Sequence, residues 1–216
     1  DIMDKAPLRR GFPTVHQKWN ENTAILSGDV MLIKAYGLLT QVEDSQLRIV
    51  LERFNTTAAE VCEGQQLDMN FETRWDVTEA EYIEMIRLKT SVVLGMSLEL
   101  GGIIGGADEA TKKLMYKAGE SMGIGFQLKD DLLDVYGNPK TFGKQVGGDI
   151  IANKKTFLLI DALAKAEGNV QKELNDWIAA ETFNPEEKVS AVRKIYDTLG
   201  IQESTQHRID AYFNQG

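Results

Sequence analysis

The chain has 216 residues, enough for one sizeable hydrophobic core without a second domain. Apolar residues make up 43% and charged residues 26%, the balance of an ordinary globular protein, and the net charge is −9. That charge, with no basic stripe, excludes a nucleic-acid binder, and any anionic substrate must be held by local cations or by metal.

Acids and bases crowd the start of the chain. Asp1 and Asp4 lie three apart, and Lys5, Arg9 and Arg10 follow at once. Carboxylates hold hard divalent cations, and guanidinium forks hold phosphate oxygens at two points. Residues 21–41 show apolar positions at helical spacing (Ile25, Val30, Ile33, Leu38), with Gly28 and Gly37 expected at close helix crossings. A second helix is expected over 47–70, with Ile49, Leu51, Phe54, Ala58, Val61 and Cys62 as its buried stripe. Residues 74–77 form a polar break. Thr78-Glu79-Ala80-Glu81 then makes a capping signal for a third long helix, which the four glycines of residues 101–106 bring to an end. The apolar run 92–107 is too short to cross a bilayer and contains Glu99 and five glycines, and no signal peptide is visible.

A fourth helix is expected over 109–136, and it carries the densest chemical signal. Residues 127–134 read Gln-Leu-Lys-Asp-Asp-Leu-Leu-Asp. A helix puts Asp130 and Asp134 at i and i+4, with Asp131 and Gln127 beside them and Leu128, Leu132 and Val135 opposite. Like charges at that spacing cost a bare helix about 0.2–0.5 kcal/mol per pair. Partial burial adds to the cost unless a cation neutralises the cluster. An acidic, solvated helix face is the plain alternative. A second acid cluster at the chain start, with arginines behind it and Lys89, Lys144 and Lys154 farther on, favours a metal-bridged anion site. Gly137-Asn138-Pro139 stops the helix. Helices return over 154–166, 169–180, 185–199 and 203–214, with faces of core and surface type. No β-strand, internal repeat or low-complexity segment is expected. His16 and His207 lack ligand spacing, which argues against zinc, and the lone Cys62 fits a reducing compartment.

In chain order, the motifs are Asp1-Ile2-Met3-Asp4-Lys5-Ala6-Pro7-Leu8-Arg9-Arg10-Gly11, Gly28-Asp29 and Gly64-Gln65-Gln66-Leu67-Asp68. Lys89-Thr90, Gly125-Phe126-Gln127-Leu128-Lys129-Asp130-Asp131-Leu132-Leu133-Asp134, Gly143-Lys144-Gln145-Val146-Gly147-Gly148-Asp149-Ile150 and Asn153-Lys154-Lys155-Thr156 follow. Together they resemble the trans-isoprenyl diphosphate synthases of the polyprenyl synthetase family. The resemblance implies an all-α isoprenoid-synthase helical bundle around a central diphosphate and Mg²⁺ pocket, as a single domain over 1–216. It implies a prenyltransferase that joins isopentenyl diphosphate to an allylic prenyl diphosphate, as a cytoplasmic homodimer. Asp1, Asp4, Asp130, Asp131 and Asp134 would hold Mg²⁺. Arg9, Arg10, Lys89, Gln127, Lys144 and Lys154 would bind substrate, Arg10 at the isopentenyl diphosphate and Lys154 at the allylic one. Asp1, Asp4, Lys89, Thr90, Gln127, Asp130 and Lys144 would serve catalysis, with Thr90 and Gln127 lining the carbocation and Lys144 closing on a loop over bound diphosphate.

Gln65 and Asp68 are weaker candidates for contact with metal or diphosphate. Asp1 and Asp4 match the second and third acids of the family's first Asp-rich motif. The first acid and the helices before it are absent, so the chain is expected to be part of a longer protein. Its short motif leans toward a product of geranylgeranyl length, with farnesyl and longer chains possible. Two other readings fit the same scaffold. A terpene cyclase usually mixes Asn, Ser and Glu in its second metal motif, where this chain has only aspartates with flanking lysines. A non-catalytic partner subunit would show decayed aspartates, and Asp130, Asp131 and Asp134 are intact.

Overall fold

Helices begin where a side chain can take up orphan amide N–H groups. Asn20 accepts from the Thr23 amide, Asp108 from that of Thr111, and Asn184 from those of Glu186 and Glu187. Thr78 and Glu81 complete the expected capping box. The computed structural model describes residues 1–3, 5–138 and 146–216, so Asp4 and Lys144 lie outside the described residues. The chain divides into two compact units, 1–54 and 55–216, with the boundary inside helix α3 (Asp44–Phe71).

The first unit opens with a ribbon, where the sequence predicts no β-strand. β1 (Leu8–Arg9) pairs antiparallel with β2 (Phe12–Pro13), Leu8 opposite Pro13 and Arg9 opposite Phe12. Arg10 (φ 52°) and Gly11 (φ 79°) make the left-handed two-residue turn. Arg-Gly lacks the Asn or Asp that normally flags such a turn, and two-residue strands leave no alternation to read. α1 (Val15–Lys18) and α2 (Glu21–Leu39) follow. α2 buries no residue, and Ile25, Val30, Ile33 and Leu38 are all largely exposed. A Cβ at Gly28 or Gly37 would meet nothing within 4 Å, so the close crossings expected there are absent among the described residues.

The second unit holds the rest of α3, then α4 (Glu79–Ile86), a π-helical turn (Arg87–Ser91), α5 (Val92–Ile104) and α6 (Glu109–Tyr136). After them come α7 (Gly148–Ile151), α8 (Phe157–Lys165), α9 (Gly168–Ala179), α10 (Pro185–Thr198) and α11 (Ile201–Gln215). α7 was not foreseen, and the helix expected from residue 154 starts only at Phe157. Lys154 therefore sits in a connecting turn. The core gathers Tyr82, Leu128, Leu158, Leu174, Ile201 and Ile209, all essentially inaccessible.

The third helix was expected to run unbroken from Thr78, and the π-helical turn interrupts it. There the Val92 amide reaches back five residues to the Arg87 carbonyl. α3 crosses this turn at Gly64, where an added Cβ would lie 2.3 Å from the Lys89 nitrogen, so backbone meets backbone. The buried line of α3 is Val50, Thr57, Gly64 and Phe71, at seven-residue intervals, while Ile49 and Cys62 from the expected stripe face outward. The contact at Gly64 fixes which face of α3 turns inward.

Candidate active site

Side chains from α3, α4, the π-helical turn and α6 make two sets of hydrogen bonds within the second unit, each with one member on the π-helical turn. An extra residue in a helix re-aims the side chains around it, and here those are Lys89 and Thr90. Lys89 Nζ donates to Asp68 Oδ2 at 2.6 Å, one turn beyond Gly64 on α3. Thr90 Oγ1 donates to Gln127 Oε1 at 3.3 Å, and Gln127 Nε2 donates to Asp131 Oδ1 at 3.0 Å. The Tyr82 hydroxyl, from α4, donates to Asp131 Oδ2.

Asp131 is only 4% exposed, with both oxygens engaged. Its position explains this: it lies three residues after Leu128 and four before Val135, on the buried stripe of α6. Burial, and next the charge of Asp149, pushes its carboxyl up to about 7, while Lys154, Tyr82 and Gln127 favour the ionised form. Burial, and then the Asp131 charge, raises the Tyr82 phenol well above its usual value.

Asp130 and Asp134 lie on the neighbouring, half-buried face. Asp134 Oδ2 accepts the main-chain N–H of Asp149 at 3.0 Å, and the Asp134 carbonyl accepts that of Gly147 at 2.6 Å. Gly147 is left-handed (φ 85°), with Val189 2.6 Å from where a Cβ would stand, so only glycine fits. These bonds tie the start of α7 to the end of α6. Lys154 Nζ lies 3.9 Å from Asp149 Oδ1.

The donor set suits a hard cation. Mg²⁺ takes one or two carboxylates and completes its shell with water and substrate phosphate. Asp130 and Asp134 are partly accessible carboxylates of the kind this requires, Asp134 while its Oδ2 accepts the Asp149 N–H, whereas Asp131 is buried with Tyr82 and Gln127 on its two oxygens. No three His, Cys, Asp or Glu side chains cluster as a closed metal cage among the described residues. A cation shared with phosphate needs no such cage.

In the first unit, Asp1 and Arg9 form an exposed ion pair at 3.3 Å, and Arg10 sits exposed in the ribbon turn. Sequence reasoning missed Tyr82 and Asp149. Tyr82 shares the apolar stripe of α4 with Met85 and Ile86, and a buried phenol there needs an acceptor. That signal was available. Asp68, a weak candidate from sequence, is the partner of Lys89. Gln65 stands close by in sequence with its amide nitrogen buried and unpartnered among the described residues.

The polyprenyl synthetase family model matches residues 1–198. The chain belongs to the polyprenyl synthetase family. Over 167 residues it is 42% identical to a geranylgeranyl diphosphate synthase of Methanosarcina mazei, covering 76% of this chain and 52% of that protein. Its fold matches a crystal structure of a geranylgeranyl pyrophosphate synthase with a TM-score of 0.93 and 46% identity, over 98% of this chain and 66% of that one. The Corynebacterium glutamicum geranylgeranyl pyrophosphate synthase, solved with isoprenyl diphosphate and magnesium, gives a TM-score of 0.88 at 27% identity. That match covers all of this chain and 66% of the other. The chain thus spans about half the length of the Methanosarcina relative and two thirds of either structure.

Proposed function

We propose that the full-length protein is a trans-prenyltransferase that joins isopentenyl diphosphate to an allylic prenyl diphosphate, with geranylgeranyl length favoured for the product. The observation that carries this reading is the bonded run from Thr90 through Gln127 and Asp131 to Tyr82, beside Lys89 and Lys154, in a chain of this family.

Breaking the allylic carbon–oxygen bond leaves diphosphate and a delocalised carbocation, so the site must steady charge of both signs. Lys89 and Lys154 carry the cationic groups that meet the departing diphosphate. Asp130 and Asp134 hold Mg²⁺, and Asp131 acts as the buried bracket that keeps this part of α6 in place. The bound cation supplies Lewis-acid neutralisation of the leaving group. Thr90 and Gln127, oriented by their mutual hydrogen bond, direct hydroxyl and amide dipoles at the developing positive charge. The isopentenyl double bond then attacks the allylic carbon to form the new carbon–carbon bond. The proton lost from the isopentenyl unit passes to the released diphosphate, so no basic side chain is required. Asp1, Asp4, Arg9, Arg10 and Lys144 keep the roles that the resemblance gives them.

A cytoplasmic homodimer belongs to the same reading. The single free cysteine and the apolar, exposed surface of α2 support it. No helix among the described residues is long and apolar enough to cross a membrane.

The test is turnover of the full-length protein with radiolabelled isopentenyl diphosphate and farnesyl diphosphate, in Mg²⁺ and in EDTA, with products sized by chromatography. A metal-dependent prenyl ladder is expected. Farnesyl diphosphate consumed to a hydrocarbon without condensation would replace this reading by a cyclase. A folded but inert protein would replace it by a partner subunit.

A further inference from the structure

Two lysines of the second unit are buried, Lys155 at 6% and Lys188 at 1% exposure, and neither forms an ion pair among the described residues. Burying an ammonium without an ion-pair partner is costly, and only Lys155 has a carboxylate, Glu72, near enough to favour its charge. Burial holds both amines below their usual range. Each is compensated by an aromatic face, Trp75 at 3.8 Å from Lys155 Nζ and Phe183 at 4.2 Å from Lys188 Nζ. An apolar residue of similar length would fill either position at lower cost.

Both amines converge on Asn153. Lys188 Nζ donates to Asn153 Oδ1 at 2.7 Å, and Lys155 Nζ donates to the Asn153 carbonyl at 3.1 Å. Asn153 Nδ2 donates to the Ile178 carbonyl at 3.0 Å, and its amide donates to the Ile150 carbonyl at 3.2 Å. Each hydrogen-bonding group of Asn153 is engaged. Its φ is 50°, in the left-handed region, where Asn is tolerated better than most residues but still needs support. The next residue is Lys154, whose amide bonds to the Asp149 carbonyl and whose ammonium approaches the Asp149 carboxylate. Asp149, Asn153, Lys154 and Lys188 line one narrow cavity.

We propose that Lys188 is a positioning residue: by holding Asn153 Oδ1 it locks the left-handed turn that presents Lys154 to the allylic diphosphate. This rests on the prenyltransferase reading. Lys188 touches no substrate in this scheme and acts through Asn153. Its effect should therefore appear in the affinity for one substrate and leave the other untouched.

The experiment varies the two substrates separately with the full-length protein. Lys188→Met removes the donor and keeps the length of the side chain. It should raise KM for the allylic diphosphate about tenfold and leave KM for isopentenyl diphosphate within about twofold. Asn153→Gly accepts the φ but loses the side-chain anchors, so it should raise allylic KM similarly. The double variant should be no worse than the worse single one, because the two residues act as a unit. Binding of a non-ionising allylic thiodiphosphate in Mg²⁺ should weaken in parallel. If Lys188→Met fails to fold, Asn153→Gly still reads the turn. Wild-type turnover with unchanged allylic KM in the variants, or additive effects in the double variant, would overturn this inference alone. No condensation and no thiodiphosphate binding by the wild type would instead overturn the prenyltransferase reading, and this inference with it.

Discussion

Asp1 beside Arg9, and Asp131 beside Tyr82 and Gln127, look alike as sequence: acids within reach of donors, in motifs that read as metal-binding. Physically they are opposites. The Asp1–Arg9 pair spans 3.3 Å with its side chains 37% and 67% exposed, so water and salt screen it. Exposed pairs of this kind contribute about 0–1 kcal/mol. Asp131 is sealed in the core of the second unit, both oxygens bonded and a second carboxylate nearby. A charge so placed is held only by its partners. The three acids of the motif on α6 differ in the same way: Asp131 is buried, and Asp130 and Asp134 are partly accessible.

The largest effect should come from the accessible pair. Asp134→Asn in the full-length protein is expected to lower kcat about 10²–10³-fold, the scale of losing one preorganised charge-stabilising contact. The variant should keep its thermal unfolding midpoint, which differential scanning calorimetry would check. Next comes Tyr82→Phe, which removes the donor to Asp131 Oδ2 and leaves that oxygen buried. It should cost about 1–3 kcal/mol in urea unfolding. Gly64→Ala belongs in the same range, about 1–3 kcal/mol, because its methyl would press on the Lys89 backbone. It should also disturb the Lys89–Asp68 contact and so raise KM for diphosphate substrates.

A smaller effect is a slope in pH. The Asp131 carboxyl stands at about 7 in the fold, against about 3.9 in an unfolded chain. The folded protein therefore binds the extra proton between those values, and its stability in metal-free buffer should fall as pH rises from about 4 to 7. Asp131→Asn should flatten that slope, and a slope unchanged by the substitution would count against the buried bracket. Glu81 behaves in the opposite sense. Arg74, first, and then Thr78 draw it down to about 2, so its contribution is present above about 4.3 and is lost as pH drops toward 2. The smallest effect is Arg9→Ala, for which urea unfolding should move by less than about 0.5 kcal/mol.

Much of this was legible in the residues. The capping box at Thr78, the bounds of α6 and the stop at Gly137 were all readable because each depends on local chemistry. The all-helical class and the family motifs were equally plain. What escaped depends on neighbours far along the chain. The π-helical turn exists where α3 meets Lys89 at Gly64, and nothing in the sequence Arg87-Leu88-Lys89-Thr90-Ser91 announces it. The helical-face reading sets Asp131 beside Asp130 and Asp134 and opposite Leu128 and Val135, and the structure corrects it: Asp131, three residues after Leu128 and four before Val135, is buried on their stripe. Gly28 and Gly37 illustrate the converse: glycine in an apolar helix suggested crossings, and the two positions stand open.

The most direct test of this division of labour is the Mg²⁺ dependence of condensation in Asp130→Asn and Asp131→Asn, measured side by side with the wild-type full-length protein. Asp130→Asn should raise the Mg²⁺ concentration for half-maximal rate about tenfold or more, because the proposed reading gives Asp130 a direct contact to the cation. Asp131→Asn should leave that concentration within about twofold and show its cost in stability and kcat. Equal displacement of the Mg²⁺ requirement by both substitutions would contradict the account and return Asp131 to the metal.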